Sequence, residues 1–376
     1  MGRILLLFLF VLQDSRADLL KRDGWKAVDA LALPAERAAL ADLAKSADPD
    51  VAFYAAAAVA EIDALKGPGA KALVKTRKSR GGALDICSAL FKEAGLSFAA
   101  GRLPDREVDL PDGLALLEAL DRISRSLDVE FYLGDAGTWK VADGHLCAPR
   151  FAFRRMRARL DLIRIESRAD FERAPESNCR VRVRISGDGA ARILGISAIR
   201  VIEAADDKAA DLRTRRGARY EDLASGHAVT VDLAAPSRGS SSLRRLRLAF
   251  DALLEAKRET ATFPRVQDAK DAQAPLGTTG VTLKRIVKEA DGWRADVETT
   301  APLVGTRWEG FELLDADGRA YAFVSATPTA GKDHTTYAIR HRARQGVGAP
   351  ASLAITAVTE TFARSVFLEF KDVPLK

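Results

Sequence analysis

Arg180-Val181-Arg182-Val183-Arg184-Ile185 decides the fold of the larger part of this chain. Three β-branched residues alternate with three arginines without a break. A period of two sends successive side chains to opposite faces of an extended backbone. The stretch is therefore expected to be a half-buried strand with one apolar face and one wet face.

Working outward from it, the same pattern predicts strands over residues 156–165, 193–202, 228–233, 243–254 and 258–263, with residues 213–226 as a polar loop. Short strands separated by turn residues argue for an immunoglobulin-like sandwich over 150–265. Residues 267–277 are poor in apolar side chains and contain Pro275 and Gly277, which predicts a domain boundary. A second sandwich follows over 278–376. Its hairpins are expected about Asp291-Gly292 and Asp317-Gly318, and its later strands over 335–341, 353–358 and 366–370, ending at Pro374.

Before Arg150 the period changes to a helical one. Leu84, Cys87, Leu90 and Phe91 form the stripe of a short helix that stops at Gly95, and Leu116, Leu120, Ile123 and Leu127 form that of a second. Between and after them lie brief strands at 96–98, 107–110, 129–133 and 138–141, the last two joined by Gly134 to Gly137. The order helix, strand, strand, helix, strand, strand places two helices on one face of a small mixed sheet. The runs ALDICSALFKEAGLSF (83–98), REVDL (106–110) and GLALLEALDRISRSLDVEFY (113–132) resemble the secretin and TonB short N-terminal domain. The closest correspondence lies in Leu116-Leu117-Glu118-Ala119-Leu120-Asp121, and Asp128 stands where that family places a glycine. The resemblance covers residues 83–142. It implies a non-catalytic, extracytoplasmic module that contacts partner proteins, and it carries over no catalytic residues.

Residues 18–66 are rich in alanine and helical in pattern. Asp48 is a good N-cap with Pro49 at the first helical position, and Val51, Ala55, Ala58, Val59, Ile62 and Leu65 share a face until Gly67-Pro68-Gly69. An earlier helix starts at Pro34 and presents Leu40 and Leu43. The pair resembles a single HEAT-type repeat, but one pair makes no solenoid, and a helical hairpin packed on the next domain is the simpler expectation. Residues 67–82 are a basic linker. The fold class that results is multidomain α+β: a helical hairpin, a small mixed module over 83–145, then two all-β immunoglobulin-like sandwiches.

At the start, Arg3, the apolar run ILLLFLFVL (4–12) and the small residues Ser15 and Ala17 read as a signal peptide over 1–17, cut between Ala17 and Asp18. The apolar run falls well below the ~20 residues of a spanning helix, and no cysteine follows it for lipidation. The expectation is an exported chain, periplasmic or secreted, without a transmembrane anchor.

Composition narrows the function. The chain has 376 residues, 47% of them hydrophobic and 29% charged, as in folded multidomain protein, and a net charge of +6. The basic clusters at 154–164, 213–219 and 244–247 lack interleaved aromatics for stacking bases. They read as solvated faces, so no nucleic-acid partner is expected, whereas an envelope protein or an anionic surface polymer is. The three cysteines make no disulfide framework. Cys87 sits on an apolar helix stripe, and Cys147 and Cys179 flank a domain junction where they would pair in an oxidising compartment.

No constellation of residues predicts chemistry. His145 and Cys147 lack a second ligand pair, and His334 and His341 fall on opposite faces of one strand. Asp315-Ala316-Asp317-Gly318 lacks the closing glutamate of a calcium loop. Ser240, Ser241 and Ser242 follow Gly239 in a loop, and Asp206-Asp207 point apart. Trp139, Trp293 and Trp308 would suit a sugar-binding floor, but core or edge positions explain them more simply. No catalytic residue, metal or cofactor is expected. A non-catalytic binder or scaffold of the cell envelope is the leading expectation, and an exported hydrolase, perhaps acting on polysaccharide, is the alternative.

Overall fold

The computed structural model describes residues 15–64, 76–77, 79–133, 138–143, 150–153, 156–170, 173–187, 192–214, 217–223, 226–305 and 310–375. Strand predominates, arranged in several sheets, with a few helices towards the N-terminus. Two compact units are present: Met1–Leu254 with Ala363–Lys376, and Glu255–Phe362. Among the described residues no helix is long and apolar enough to cross a membrane.

The first unit opens with residues 15–23 in helical conformation. Helix α1 (Trp25–Leu31), a 3-10 turn (Pro34–Glu36), α2 (Arg37–Leu43) and α3 (Pro49–Ala64) follow. Asp48 caps α3 as expected: its Oδ1 accepts the backbone N–H of Asp50 at 2.9 Å and of Val51 at 3.3 Å. The buried face of α3 is broader than the spacing suggested. Phe53, Tyr54 and Ala57 are buried along with Val51, Ala55, Ala58 and Ile62.

Most of the expected linker lies outside the described residues, but its end does not behave as a linker. Ser79–Gly82 forms β1, paired antiparallel with β3 (Glu107–Leu110). Ser-Arg-Gly-Gly carries no side-chain signal because its contribution is made by the backbone alone. Helix α4 (Ala83–Glu93), β2 (Phe98–Ala99), β3, α5 (Leu116–Leu127), β4 (Val129–Leu133) and β5 (Trp139–Asp143) complete the order β-α-β-β-α-β-β. Strand β5 pairs parallel with β2 and antiparallel with β4, making a mixed three-stranded sheet separate from the β1–β3 ribbon. Ile86, Cys87, Leu90 and Phe91 of α4 share one core with Leu117, Leu120 and Ile123 of α5 and with Phe131, Trp139 and Val141 of the sheet. Phe91 stacks on Phe98 with ring centroids 4.5 Å apart.

Between α5 and β4 the chain reverses through a single residue. Asp128 adopts the left-handed conformation (φ 53°, ψ 49°), and its N–H bonds Ser124 O. In that conformation a Cβ crowds the following carbonyl, and Asp is one of the few side chains to tolerate it.

Beyond the module, β6 (Arg150–Phe153), β7 (Met156–Asp170), β8 (Arg173–Gly187), β10 (Ala218–Leu223) and β11 (Gly226–Ala234) form an antiparallel sheet in the order β10-β11-β8-β7-β6. The alternation that opened the sequence reading holds. Val181, Val183 and Ile185 are fully buried, and Arg180, Arg182 and Arg184 lie on the other face, half-buried. Residues 218–223, expected in a loop, are strand β10, fully registered against β11. Ala-Arg-Tyr-Glu-Asp-Leu holds too few apolar residues to display a period, so the neighbouring strand recruits it. Strand β9 (Ile193–Asp206) pairs with the first part of β12 (Ser242–Pro264).

Strand β12 replaces two expected strands, and so does β19 (Pro350–Pro374). Each continues through polar residues, 255–258 in β12 and 359–365 in β19, where burial changes but the backbone stays extended. Both strands contribute residues to both units.

In the second unit, β13 (Ala272–Leu276), β14 (Thr279–Glu289), β15 (Gly292–Thr299), β17 (Ala322–Ala330) and β18 (Thr335–Arg342) form a sheet in the order β13-β14-β15-β18-β17. Residues 267–277, expected as a boundary, lie inside this unit, with β13 paired to β14. Strand β16 (Phe311–Asp315) pairs with β19. Leu283, Val297, Tyr337 and Ile339 share a core with Phe263, Phe311, Leu313, Leu353 and Ile355. The β14–β15 loop is Ala290-Asp291, one residue earlier than expected. Gly292 is needed instead for close strand approach, since a Cβ there would lie 2.0 Å from the His341 carbonyl oxygen. The Asp317-Gly318 turn forms, with Gly318 at φ 78°. It closes as the expected hairpin, with Leu314 and Ala320 in an antiparallel bridge and Tyr321 N–H on Leu313 O, beyond which β16 pairs with β19 and β17 with β18.

Asp128→Gly should raise the unfolding free energy by about 0.5–1 kcal/mol, since glycine removes the left-handed strain. Chemical denaturation of the two proteins side by side measures the difference, and a loss of stability would show that the Asp128 side chain holds the turn.

Candidate functional site

The densest polar assembly lies in the first unit, where α1 and α3 meet β9, β12 and β19. Arg247 on β12 has a fully buried side chain, and Glu369 on β19 is 3% exposed. Arg247 Nε donates to Glu369 Oε1 at 3.0 Å. Its Nη2 lies 3.0 Å from the same oxygen as an ion pair without hydrogen-bond alignment. Arg247 Nη1 reaches Asp50 at 2.6 Å and Glu203 at 3.1 Å. The second carboxylate oxygen of Glu369 accepts Tyr54 Oη–H at 2.8 Å and Trp25 Nε1–H at 3.2 Å, with Lys371 Nζ at 3.4 Å.

Aromatic faces complete the enclosure. The Arg247 guanidinium sits 4.4 Å from the Phe53 ring centroid and 5.0 Å from that of Tyr54, within cation–π range. Trp25 meets both rings edge-on. Arg245 adds a hydrogen bond to Asp50 at 2.9 Å, and Arg364 on β19 donates to Glu61 of α3.

Burial opposes the guanidinium's charge, but the Glu369 charge and the hydrogen bonds that Arg247 donates to Tyr54 and Asp50 outweigh it, leaving Arg247 more basic than usual. Burial first, then the Glu369 charge, pushes the Tyr54 hydroxyl up. Glu369 accepts hydrogen bonds from three side chains, Arg247, Tyr54 and Trp25, and pairs in charge with Lys371, so the cluster clamps helices to a sheet.

This cluster corrects the sequence reading. Arg244 to Arg247 were expected on a solvated face, yet α3 covers the face that carries Arg245 and Arg247. Arg-Leu-Arg-Leu alternation states which side chains share a face. It does not state what covers that face.

The other candidates are occupied within the fold. Ser240 and Ser241 donate their hydroxyls to Asp207, which also accepts the Ser241 N–H, and these bonds pull the Asp207 pKa down to about 2. Its neighbour Asp206 is fully buried and accepts the N–H groups of Lys208, Ala210 and Ser237, which outweigh burial and hold it in the charged form. The two carboxylates bind the same 237–241 segment and pin that loop. Asp315 accepts N–H from Asp317, Arg319 and Gly348 at 2.8–3.0 Å, which depresses its pKa and leaves it a turn residue.

His227 stacks on Tyr220. Nε2–H donates to Ile193 O at 2.8 Å, so Nδ1 accepts the Tyr220 hydroxyl at 2.7 Å. His341 is buried with its pKa lowered by desolvation, and His334 is exposed, so the two do not meet. Among the described residues no group of three metal-ligating side chains converges. Trp139 is a core residue, 1% exposed, and offers no sugar-binding floor. Trp308, His145 and Cys147 lie outside the described residues.

Ala17 and Asp18, the expected cleavage residues, fall within the helical stretch 15–23, and the apolar run before them lies outside the described residues. Of the cysteines, Cys179 is a buried free thiol, with burial raising its pKa to about 11, and Cys87 is buried with its pKa raised to about 12.

A shallow groove of about 620 Å³ in the second unit is lined by Lys257, Glu259, Thr260, Gly277, Thr359 and Glu360, among others. Lys257 Nζ lies 2.6 Å from Glu259 and 3.7 Å from Glu360. The hydrogen bond from Lys257 lowers the Glu259 pKa. A general acid for glycoside cleavage needs the opposite shift.

No family model, curated protein or solved structure matches this chain.

Glu369→Gln should lower the unfolding free energy by about 3 kcal/mol, because it leaves the buried Arg247 charge undercompensated. Glu203→Gln, a third exposed, should cost under about 1 kcal/mol. Equal losses in urea denaturation would mean that the cluster does not centre on Glu369. Separately, Cys87 and Cys179 should resist alkylation in the native protein and react fully in denaturant. If Cys179 stays protected in denaturant until a reductant is added, it is held in a disulfide.

Proposed function

We propose that this chain is an exported, non-catalytic interaction protein of the bacterial cell envelope. In this reading residues 83–142 are a module of the secretin/TonB short N-terminal type, and the all-β portions are immunoglobulin-like sandwiches that carry and space it. Its partner is an envelope protein or an anionic surface polymer, reached through sheet edges and faces.

The order β-α-β-β-α-β-β over residues 79–143 carries the reading. A strand, Ser79–Gly82, precedes the first helix and pairs with β3, which the sequence pattern did not display. Asp128 is left-handed, a conformation that glycine adopts readily, which supports the match at the position where the resembled family has glycine. The engagement of Asp206, Asp207, Ser240, Ser241 and Asp315 in backbone and loop bonds supports a binding role. A polysaccharide hydrolase would draw on Glu259 and Glu360 of the groove, but the hydrogen bond from Lys257 holds the Glu259 pKa down, against what a general acid needs.

The test is export followed by capture. In a Gram-negative host, the chain should appear in the periplasmic or extracellular fraction shortened to begin at Asp18. Crosslinking in that fraction should yield a discrete adduct that disappears when residues 83–142 are altered at exposed positions such as Tyr132. Retention of the full-length chain in the cytoplasm would overturn the reading. So would hydrolysis of envelope polysaccharide that Glu259→Gln abolishes.

A further inference from the structure

His341 ties the two sheets of the second unit together. It stands near the end of β18, in the five-stranded sheet. Its Nε2–H donates to the carbonyl of Phe311 at 3.1 Å, and Phe311 belongs to β16, in the other sheet. That bond fixes the tautomer, because the nitrogen that meets a carbonyl must carry the proton. Nδ1 is left as a bare acceptor. The residue is 2% exposed, and no described group donates to Nδ1.

The surroundings are aromatic. Phe323 on β17 meets the imidazole edge-on at 5.9 Å and stacks on Phe311 at 5.8 Å. Trp293 on β15 stands in register with His341. Strand β17 contains no charged residue. On β18 itself, Arg340 and Arg342 take the opposite, exposed face. On β15, Arg294 does the same and pairs with Asp296 and Glu289. On β16, Glu312 is exposed, and Asp315, which shares the Phe311 face, is held by three backbone N–H groups. Tyr321 donates its hydroxyl to Gly348 O. Lys288 of β14 lies in the cross-strand row of Trp293 and His341, two strands or about 10 Å away, and is exposed. Among the described residues, then, no carboxylate is bonded to the imidazole.

We infer that His341 is an acid-sensitive latch: neutral, it holds β16 against β18, and a proton on Nδ1 releases that end of the second unit in mildly acidic surroundings. The proton would place a charge and an unsatisfied N–H in an apolar enclosure, which costs far more than the one hydrogen bond returns. Parting β16 from β18 admits water to Nδ1 and uncovers Phe311 and Phe323. Burial already lowers the imidazole pKa in the folded chain. The unfolded chain accepts the same proton at about pH 6.5. Stability from this site is therefore full above that pH and falls as the pH drops below it, by up to about tenfold in the unfolding equilibrium per pH unit. Asp315, whose pKa is depressed, loses its contribution only at lower pH, below the ordinary carboxylate range.

Hydrogen–deuterium exchange of the purified full chain at pH 7.5, 6.0 and 5.0, corrected for the intrinsic pH dependence of exchange, tests the latch. Residues 311–315, 322–330 and 335–342 should exchange at least about fivefold faster at pH 5.0 than at 7.5, and residues 279–289 less than about twofold faster. In His341→Phe, which keeps a ring but cannot titrate, the acceleration should vanish. In His334→Gln, an exposed histidine of the same unit, it should remain.

Should His341→Phe already melt early at pH 7.5, His341→Gln takes its place. A second measurement needs no variant: by NMR the His341 ring of the native protein should titrate below 6.5. A ring that titrates at or above that value would overturn the proposal. So would acceleration that persists without His341, that spreads evenly over both units, or that His334→Gln abolishes. The readout is made on purified protein, so it is unaffected by whether the chain is exported.

Discussion

The buried ion pair between Arg247 and Glu369 is the constraint on which the first unit turns. A guanidinium with no exposed side-chain surface is tolerated only if carboxylates and aromatic faces replace its hydration shell. Asp50, Glu203, Tyr54, Phe53 and Trp25 do so, and they come from two helices and a strand widely separated along the chain. Removing any one element would leave the others with an exposed or unpaired polar centre. The cluster therefore orients the helices by chemistry as well as by apolar burial, which in an alanine-rich α3 offers little shape to specify an angle.

Two long strands shape the β portion. Strands β12 and β19 each remain extended for more than 20 residues, and each changes its apolar pattern partway. A core residue in one stretch is followed by a polar residue in the next with no turn between them. Turns supply the opposite case. The hairpin turn at Asp317-Gly318 closes through Leu314 and Ala320 and then passes the chain from β16, paired with β19, to β17, paired with β18.

The polar side chains that would attract mechanistic interest have local duties. Asp206, Asp207 and Asp315 each gather several N–H groups, and the depressed pKa of each follows from those bonds. Such carboxylates hold loops closed while ionised.

Local order was largely legible from the residues alone. The period of two at 180–185, the cap at Asp48, the stripes of α4 and α5 and the turn at Gly318 depend on side chains within a few positions of one another, and sequence displays such spacing directly. The tertiary structure decided what no local window contains. It made Ser79–Gly82 and Ala218–Leu223 strands, because a neighbouring strand supplied their hydrogen bonds. It joined paired apolar runs into β12 and β19, because burial and backbone direction are independent. It buried Arg247 while leaving Arg182 half-exposed, although both alternate with apolar residues in the same way. The difference lies in the helix that covers one face and not the other, and coverage is a property of the folded chain, not of the strand.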